Sequence, residues 1–165
     1  MKKIISILLT GIMILGLVGC SSQDGDSNQN TNKNVPTSEI VNSIKEGIEI
    51  RMTGPVDEEL VKNQFHLNLD DVEEYTIEKG MVNTGLETLA VVKAKEGKVD
   101  SVKASLEKVI EDKKAEAFYP GEAEAIEGAK IQVVGNYVGL LIIPDYEEGL
   151  NSSQKAIDIF NEALK

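Results

Sequence analysis

The C-terminal part of the chain carries a β-hairpin signal that constrains the fold more than any other stretch. Mainly apolar residues run from Ile131 to Val134 and again from Tyr137 to Ile143, and only Gly135-Asn136 separates the two runs. Glycine at the first position of a two-residue turn is typical of a type II′ hairpin. The second run is apolar on both faces apart from Gly139, so we expect it in the centre of a sheet. Pro144 ends this strand.

A second hairpin is predicted upstream of the first. Apolar and polar residues alternate from Tyr75 to Met81, which is typical of a half-exposed strand. Asn83-Thr84-Gly85 is a turn signal, and the stretch from Thr88 to Lys95 is predicted to return as the partner strand. Together the two hairpins supply four strands.

Four segments carry the apolar spacing or the capping residues of helices. Their predicted starts are Thr37 or Ser38, Asp57 after Pro55, Asp100, and Asn151 or Ser152, and Glu122 to Glu127 are predicted to add one further helical turn. The helix that starts at Asp100 is the most regular, because its apolar residues share one face while Lys and Glu fill the other. It is predicted to fade near Ala117.

Paired hairpins separated by a helix favour an antiparallel sheet over a parallel one. We therefore expect an α+β fold in which helices pack on one face of a four-stranded antiparallel sheet made of two hairpins. Residues 37–165 are numerous enough to form a single domain with one core.

The N-terminus carries a separate signal. Two lysines precede the apolar run from Ile4 to Leu17, which is shorter than the roughly 20 apolar residues of a spanning helix. The run ends in Leu17-Val18-Gly19-Cys20, and Cys20 is the only cysteine. This order resembles a bacterial lipoprotein signal peptide ending in a lipobox. The resemblance implies removal of residues 1–19, a diacylglyceryl group on Cys20, and export to the outer face of a bacterial cell membrane. An uncleaved membrane anchor is the alternative.

The residues that follow Cys20 predict a tether and an acidic surface. Residues 21–36 contain one apolar side chain before Pro36, so residues 20–36 are predicted to form a disordered tether. Without residues 1–19, the chain keeps 15 basic and 28 acidic side chains, a net charge of −13. Such a surface repels polyanions, so we expect no nucleic-acid partner and a membrane contact made through the acyl chains alone. The sequence leaves the oligomeric state open.

No linear motif of an enzyme or a metal site stands out. His66 is the only histidine, and lipidation would consume the only thiol, which argues against zinc. No Gly-x-Ser-x-Gly elbow is present. Carboxylates are plentiful, so a hydrolase with paired carboxylates stays open, although the chain has no tryptophan to stack on sugar rings. We predict no catalytic residue, no metal site and no cofactor.

Three residues are candidates for ligand binding: Tyr119, Asn136 and Tyr137. Tyr119 precedes a run of glutamates that forms either an acidic lip for a cationic ligand or the negative first turn of a short helix. Asn136 and Tyr137 either border a ligand groove or form a hairpin turn followed by a tyrosine on a sheet face.

Three stretches carry a resemblance to a known family: Val91-Val92-Lys93-Ala94-Lys95, Phe118-Tyr119-Pro120 and Gly135-Asn136-Tyr137-Val138-Gly139-Leu140. Through them, the region from about Glu87 to Asp145 resembles an uncharacterised domain of small bacterial lipoproteins, to which no function is assigned. The resemblance agrees with the lipid anchor and with the order helix, hairpin, helix, hairpin, helix. It implies no ligand and no activity.

These observations favour a lipid-anchored, extracytoplasmic and non-enzymatic domain that binds a protein partner of the cell envelope. The alternative is a small-molecule or peptide-binding lipoprotein, with a pocket between the sheet and the helix at 100–117, near Tyr119 or Tyr137. A carboxylate-based hydrolase of envelope polymers is a third hypothesis. An exposed sheet edge or apolar patch would favour the first, and a cavity with convergent polar groups would favour the second.

Overall fold

A computed structural model describes residues 33–82, 86–147 and 149–165. The predicted signal peptide, Cys20 and most of the predicted tether lie outside these residues, as does the predicted turn at 83–85. Within the described ranges, no helix is both long enough and apolar enough to cross a membrane.

The described residues contain five helices and five strands. The helices are α1 (Thr37–Gly47), α2 (Glu58–Asn63), α3 (Val99–Glu116), α4 (Pro120–Glu127) and α5 (Ser152–Ala163), and the strands are β1 (Thr53–Pro55), β2 (Val72–Gly80), β3 (Thr88–Ala94), β4 (Lys130–Val134) and β5 (Tyr137–Ile142). A 3₁₀ turn at Leu69–Asp71 leads into β2. A mixed fold of helices with an antiparallel sheet is therefore confirmed.

The sheet has five antiparallel strands in the order β1-β2-β3-β5-β4, so the prediction of four strands is wrong. The two predicted hairpins are present, and pairing of β3 with β5 joins them. The additional strand, β1, pairs with the end of β2, from Thr53 opposite Gly80 to Pro55 opposite Glu78. Its three residues include glycine and proline and are too few to show an alternating pattern.

The turn between β4 and β5 has the predicted conformation. Gly135 has a φ of +58° whereas Asn136 does not have a positive φ, which is the type II′ arrangement. Val134 pairs with Tyr137 across the turn. As predicted, β5 lies in the interior of the sheet, between β3 and β4.

Helices cover both faces of the sheet, so the prediction that they pack on one face is also wrong. Every residue of β3 is buried, and its alternate side chains enter two separate cores. Leu89 and Val91 pack with α1 and α5, whereas Ala90 and Val92 pack with α2 and α3. A strand that is apolar on both faces is stable only when both faces are shielded from water. The pair α1 and α5 shields one face of the sheet, and the pair α2 and α3 shields the other.

The helix starts agree in part with the predicted caps. Asp57 and Asn151 cap α2 and α5, accepting hydrogen bonds of 2.8 Å and 3.2 Å from backbone N–H groups. By contrast, α1 and α3 begin without a side-chain cap. Thr37 instead donates its hydroxyl to Glu74 at 2.9 Å, and Asp100 lies within the first turn of α3.

Candidate functional site

A cavity of about 600 Å³ opens at the end of the sheet where β3 begins and β5 ends. Glu87, directly before β3, and Ile143, directly after β5, form part of its wall. The remaining wall comes from Arg51 and Val82 near the ends of β1 and β2, from α4, and from the loop that follows β5. A cavity of this volume is of the size that holds small organic ligands.

Hydrogen bonds fix the parts of the wall that come from loops. Ile143 N donates to Ser153 Oγ at 3.0 Å, and Ser152 N donates to Asp145 Oδ1 at 2.8 Å, so the loop after β5 is fastened to the first turn of α5. Across the cavity, a backbone hydrogen bond of 2.9 Å from Gly80 to the Glu87 carbonyl extends the pairing of β2 with β3. The sheet and α5 therefore position the polar side chains of the cavity.

Glu87 is the most unusual side chain of the wall. Only 2% of its surface is exposed. Its Oε1 accepts a hydrogen bond from the Tyr146 hydroxyl, whereas its Oε2 has no hydrogen-bond partner among the described residues. A carboxylate removed from water with one oxygen unpaired costs free energy unless a donor or a positive charge approaches it.

Tyr146 connects Glu87 to Arg51, the only arginine of the chain. Burial, and then the hydrogen bond to Glu87, raise the pKa of the Tyr146 hydroxyl well above its ordinary value. This hydroxyl therefore stays protonated and donates to Glu87. The guanidinium carbon of Arg51 lies 3.7 Å from the centre of the Tyr146 ring, in a cation–π contact.

The charged side chains around the cavity are mainly acidic. Glu87, Glu124, Asp145 and Glu147 line it, against the single cation Arg51 among its described lining residues. Apolar side chains such as Leu86, Ala125 and Pro144 complete the wall. The arrangement can hold an organic molecule against the apolar part and a cationic or hydrogen-bond-donating group at Glu87.

The three predicted binding residues lie outside this cavity. Tyr137 is 1% exposed, and its hydroxyl accepts a hydrogen bond from Val35 N at 3.1 Å and donates one to Val35 O at 2.8 Å. Asn136 donates its side-chain amide to the Ala94 carbonyl at 3.3 Å. Tyr119, 70% exposed, directly precedes α4. Asn136 and Tyr137 lie at the opposite end of β5 from the cavity, whose wall includes α4 rather than α3.

Two other polar clusters of the described chain are paired internally. His66 Nε2 lies 2.6 Å from Asp112 Oδ2. In the acidic stretch before β2, Asp71 forms a salt bridge with Lys98 at 2.9 Å and accepts a hydrogen bond from Ser101 at 2.8 Å. No group of three or more His, Cys, Asp or Glu side chains in the described ranges could hold a metal ion.

The sequence did not reveal the residues that form the cavity. Arg51, Glu87 and Tyr146 come from three separate loops, and Glu87 and Tyr146 are 59 residues apart, so no linear motif joins them. One signal was present, since Arg51 is the only arginine among 17 basic residues. Arginine is suited to stacking on aromatic rings and to pairing with carboxylates.

The fold and the cavity define an α+β domain whose five-stranded antiparallel sheet is covered on both faces and carries at one end a cavity lined by charged and apolar side chains. The family model described as Domain of unknown function (DUF4358) matches residues 46–143, more than half of the chain, and the chain belongs to this family. The match takes in all five strands, Arg51 and Glu87, and ends before Tyr146. The predicted membership of a family without an assigned function is confirmed, whereas lipidation stays a prediction. No curated protein and no solved structure gives a significant match.

Proposed function

We propose that this chain is a lipid-anchored, extracytoplasmic binding domain whose cavity takes a small organic ligand with an ammonium or similar donor group. The observation that carries the proposal is the buried Glu87 carboxylate, whose Oε2 lacks a hydrogen-bond partner among the described residues. A ligand ammonium placed against this oxygen would supply both the missing hydrogen bond and the opposite charge. The acidic side chains around Glu87 favour a cation over an anion at the same place.

The point at which the predicted tether joins the sheet indicates which way the cavity would face relative to the anchor. Asn34 accepts a hydrogen bond of 2.8 Å from Lys93, and Val35 is bonded to Tyr137, so the chain that leads back toward Cys20 leaves from this end of the sheet. Lys93 pairs with Tyr137, whereas Thr88 at the start of β3 adjoins the cavity. The two ends are separated by about 17 Å along β3. A domain anchored through Cys20 would present the cavity on the side away from its attachment.

Isothermal titration of the full chain, purified in detergent, tests the proposal. We expect primary amines to bind and the matching neutral amides and carboxylates not to bind. Glu87→Gln keeps the shape of the side chain but removes its charge, and should weaken amine binding by about tenfold or more. Glu96→Gln is the matched control, since Glu96 is an exposed carboxylate just beyond the other end of β3. Equal loss in both variants, or no amine binding to the unchanged chain, would refute the proposal.

A second candidate function, the binding of an envelope protein, has its own supporting observation. Met52 and Met81 are exposed neighbours, joined by a backbone hydrogen bond of 2.9 Å, and Val82 beside them is also exposed. Such an apolar patch next to the edge strand β1 suits a protein contact.

Crosslinking in intact membranes, followed by mass spectrometry, tests this second candidate. We expect one dominant envelope protein, whose capture is lost in the variant Met52→Ser/Met81→Ser and kept in Phe118→Ser. Phe118 is a suitable control because it is also apolar and is, among the described residues, the most exposed large hydrophobic side chain. Equal capture by both variants would exclude the methionine patch as the contact surface.

A further inference from the structure

Two opposite charges are held on the same tyrosine side chain at the cavity wall. The Arg51 guanidinium lies over the face of the Tyr146 ring, and the Glu87 carboxylate accepts the hydrogen bond of its hydroxyl. The two charges therefore contact the same phenol group, and both residues line the cavity. Tyr146 sets their spacing.

Neither charge is neutralised by an ion pair within the described residues. Glu87 has a single hydrogen bond, from a neutral hydroxyl, and Arg51 forms no salt bridge there. Arg51 retains the fork of N–H donors that binds a carboxylate with two parallel hydrogen bonds. Glu87 Oε2 retains the capacity to accept from an ammonium. The cavity thus offers one anionic hydrogen-bond acceptor, Glu87, and one cationic hydrogen-bond donor, Arg51.

We propose that the ligand is a compact zwitterion of the amino-acid type, with its ammonium group at Glu87 and its carboxylate at Arg51. This inference rests on the function proposed above and narrows it to one ligand class. A simple amine would leave Arg51 without a counter-ion, and a simple carboxylate would leave Glu87 Oε2 unpaired and face the acidic part of the wall. The apolar side chains of Leu86, Ala125 and Pro144 are available to the body of the ligand.

The chemistry of the wall also restricts the distance between the two ligand charges. In an α-amino acid, the ammonium and carboxylate groups are attached to the same carbon atom, which suits two protein charges held on one ring. In a dipeptide, a whole residue separates the two groups, so we expect the dipeptide to reach both protein charges less well. Free amino acids and short peptides both carry an ammonium and a carboxylate group. Comparing their affinities for the cavity tells which of the two is the ligand.

The test uses matched ligands on the unchanged full chain, so it does not depend on whether a variant folds. L-amino acids are titrated one at a time by calorimetry, and the tightest is compared with its amide, its N-acetyl derivative and its glycine dipeptide. We expect the free amino acid to bind about tenfold or more tightly than its amide, which lacks the carboxylate. We expect no measurable binding of the N-acetyl derivative, and weaker binding of the dipeptide.

The outcomes distinguish the proposal of a zwitterionic ligand from the broader proposal that an amine binds at Glu87. If amide and amino acid bind equally, the zwitterion is refuted while amine binding at Glu87 stands. If neither binds, both proposals fail. If the dipeptide binds more tightly than the free amino acid, the inferred spacing of the charges is wrong.

One variant tests whether Arg51 binds the carboxylate group of the ligand. Arg51→Gln should abolish the preference for the amino acid over its amide while leaving amide binding within about twofold, because the contact at Glu87 is retained. Lys108→Gln, which removes an exposed cation on α3, should leave the preference unchanged. A preference that survives in Arg51→Gln would overturn the role given to Arg51.

Discussion

The Tyr146 hydroxyl is the one side-chain donor that the described residues offer to the buried Glu87 carboxylate. Tyr146→Phe removes it and leaves both carboxylate oxygens unpaired. We expect the free energy of unfolding to fall by about 1–3 kcal/mol, the usual cost of a buried polar group that loses its partner. Urea unfolding followed by circular dichroism measures this change.

The control for this variant is Tyr119→Phe, which removes a hydroxyl from an exposed tyrosine. We expect it to leave the unfolding midpoint unchanged. If Tyr146→Phe and the control have the same unfolding midpoint, water or another group donates a hydrogen bond to the Glu87 carboxylate in solution. Glu87 Oε2 would then not need a ligand as its hydrogen-bond donor.

At the scale of elements, α5 packs closely on β5 because β5 has a glycine, Gly139, where the Phe160 ring contacts it. A Cβ atom placed on Gly139 would lie 3.1 Å from Phe160 Cε2, closer than ordinary van der Waals contact. Phe160 is fully buried and cannot move away without disturbing its own core. We expect Gly139→Ala to lower the free energy of unfolding by about 1–3 kcal/mol through overpacking.

A double-mutant cycle with Phe160→Leu checks the cause of this loss. If the new methyl group clashes with the ring, Gly139→Ala should cost clearly less in the Phe160→Leu background than in the unchanged chain. An equal cost in the two backgrounds would show that the glycine is needed for another reason.

The junction between the 3₁₀ turn and α3 should make stability depend on pH. The Lys98 ammonium, and then the Ser101 hydroxyl, hold the pKa of the Asp71 carboxyl below its ordinary value of 3.8. A carboxyl with a lowered pKa in the folded state stabilises that state above its ordinary pKa, and the contribution is lost as the pH falls through the lowered pKa.

Asp71→Asn removes this contribution. We expect the variant to be less stable than the unchanged chain at neutral pH, and the difference to shrink as the pH falls from 3.8 downward. Urea midpoints of both proteins across this range measure the difference. A difference that does not change with pH would show that Asp71 acts through packing rather than through its charge.

The elements that could be predicted from the sequence are those whose signal is local. The Gly135-Asn136 turn and the alternation around Tyr75 predicted both hairpins, because turn geometry and side-chain alternation are set by neighbouring residues. Because β5 is apolar on both faces, its sequence already implied that helices pack on both faces of the sheet. Which helix packs on which face depends on contacts between distant parts of the chain, and no local pattern shows these contacts. For the same reason, Tyr137 was predicted as a binding residue although the fold buries it against Val35.

At the scale of the whole molecule, Tyr137 connects the predicted tether to the sheet. Its hydroxyl holds both the N–H and the carbonyl of Val35, and Lys93 holds the neighbouring Asn34 side chain. Within the described residues, contacts with the sheet therefore begin at Asn34, and the domain boundary at Thr37 stays a prediction. These bonds fix the point at which the chain leaves the domain, and thus the direction in which the cavity at the other end of the sheet would face.

Tyr137→Phe tests this attachment, because the ring still fills the core while the hydroxyl is lost. The Val35 N–H loses its acceptor, and we expect its hydrogen exchange to accelerate by about tenfold, the rate equivalent of one typical net hydrogen bond. Exchange within β3 and β5, and ligand affinity at the cavity, should change little. Tyr75→Phe on β2, which is separated from β5 by β3, is the control and should leave Val35 unchanged. If Val35 exchanges equally fast in all three proteins, these hydrogen bonds do not hold the segment, and the direction inferred for the cavity loses its support.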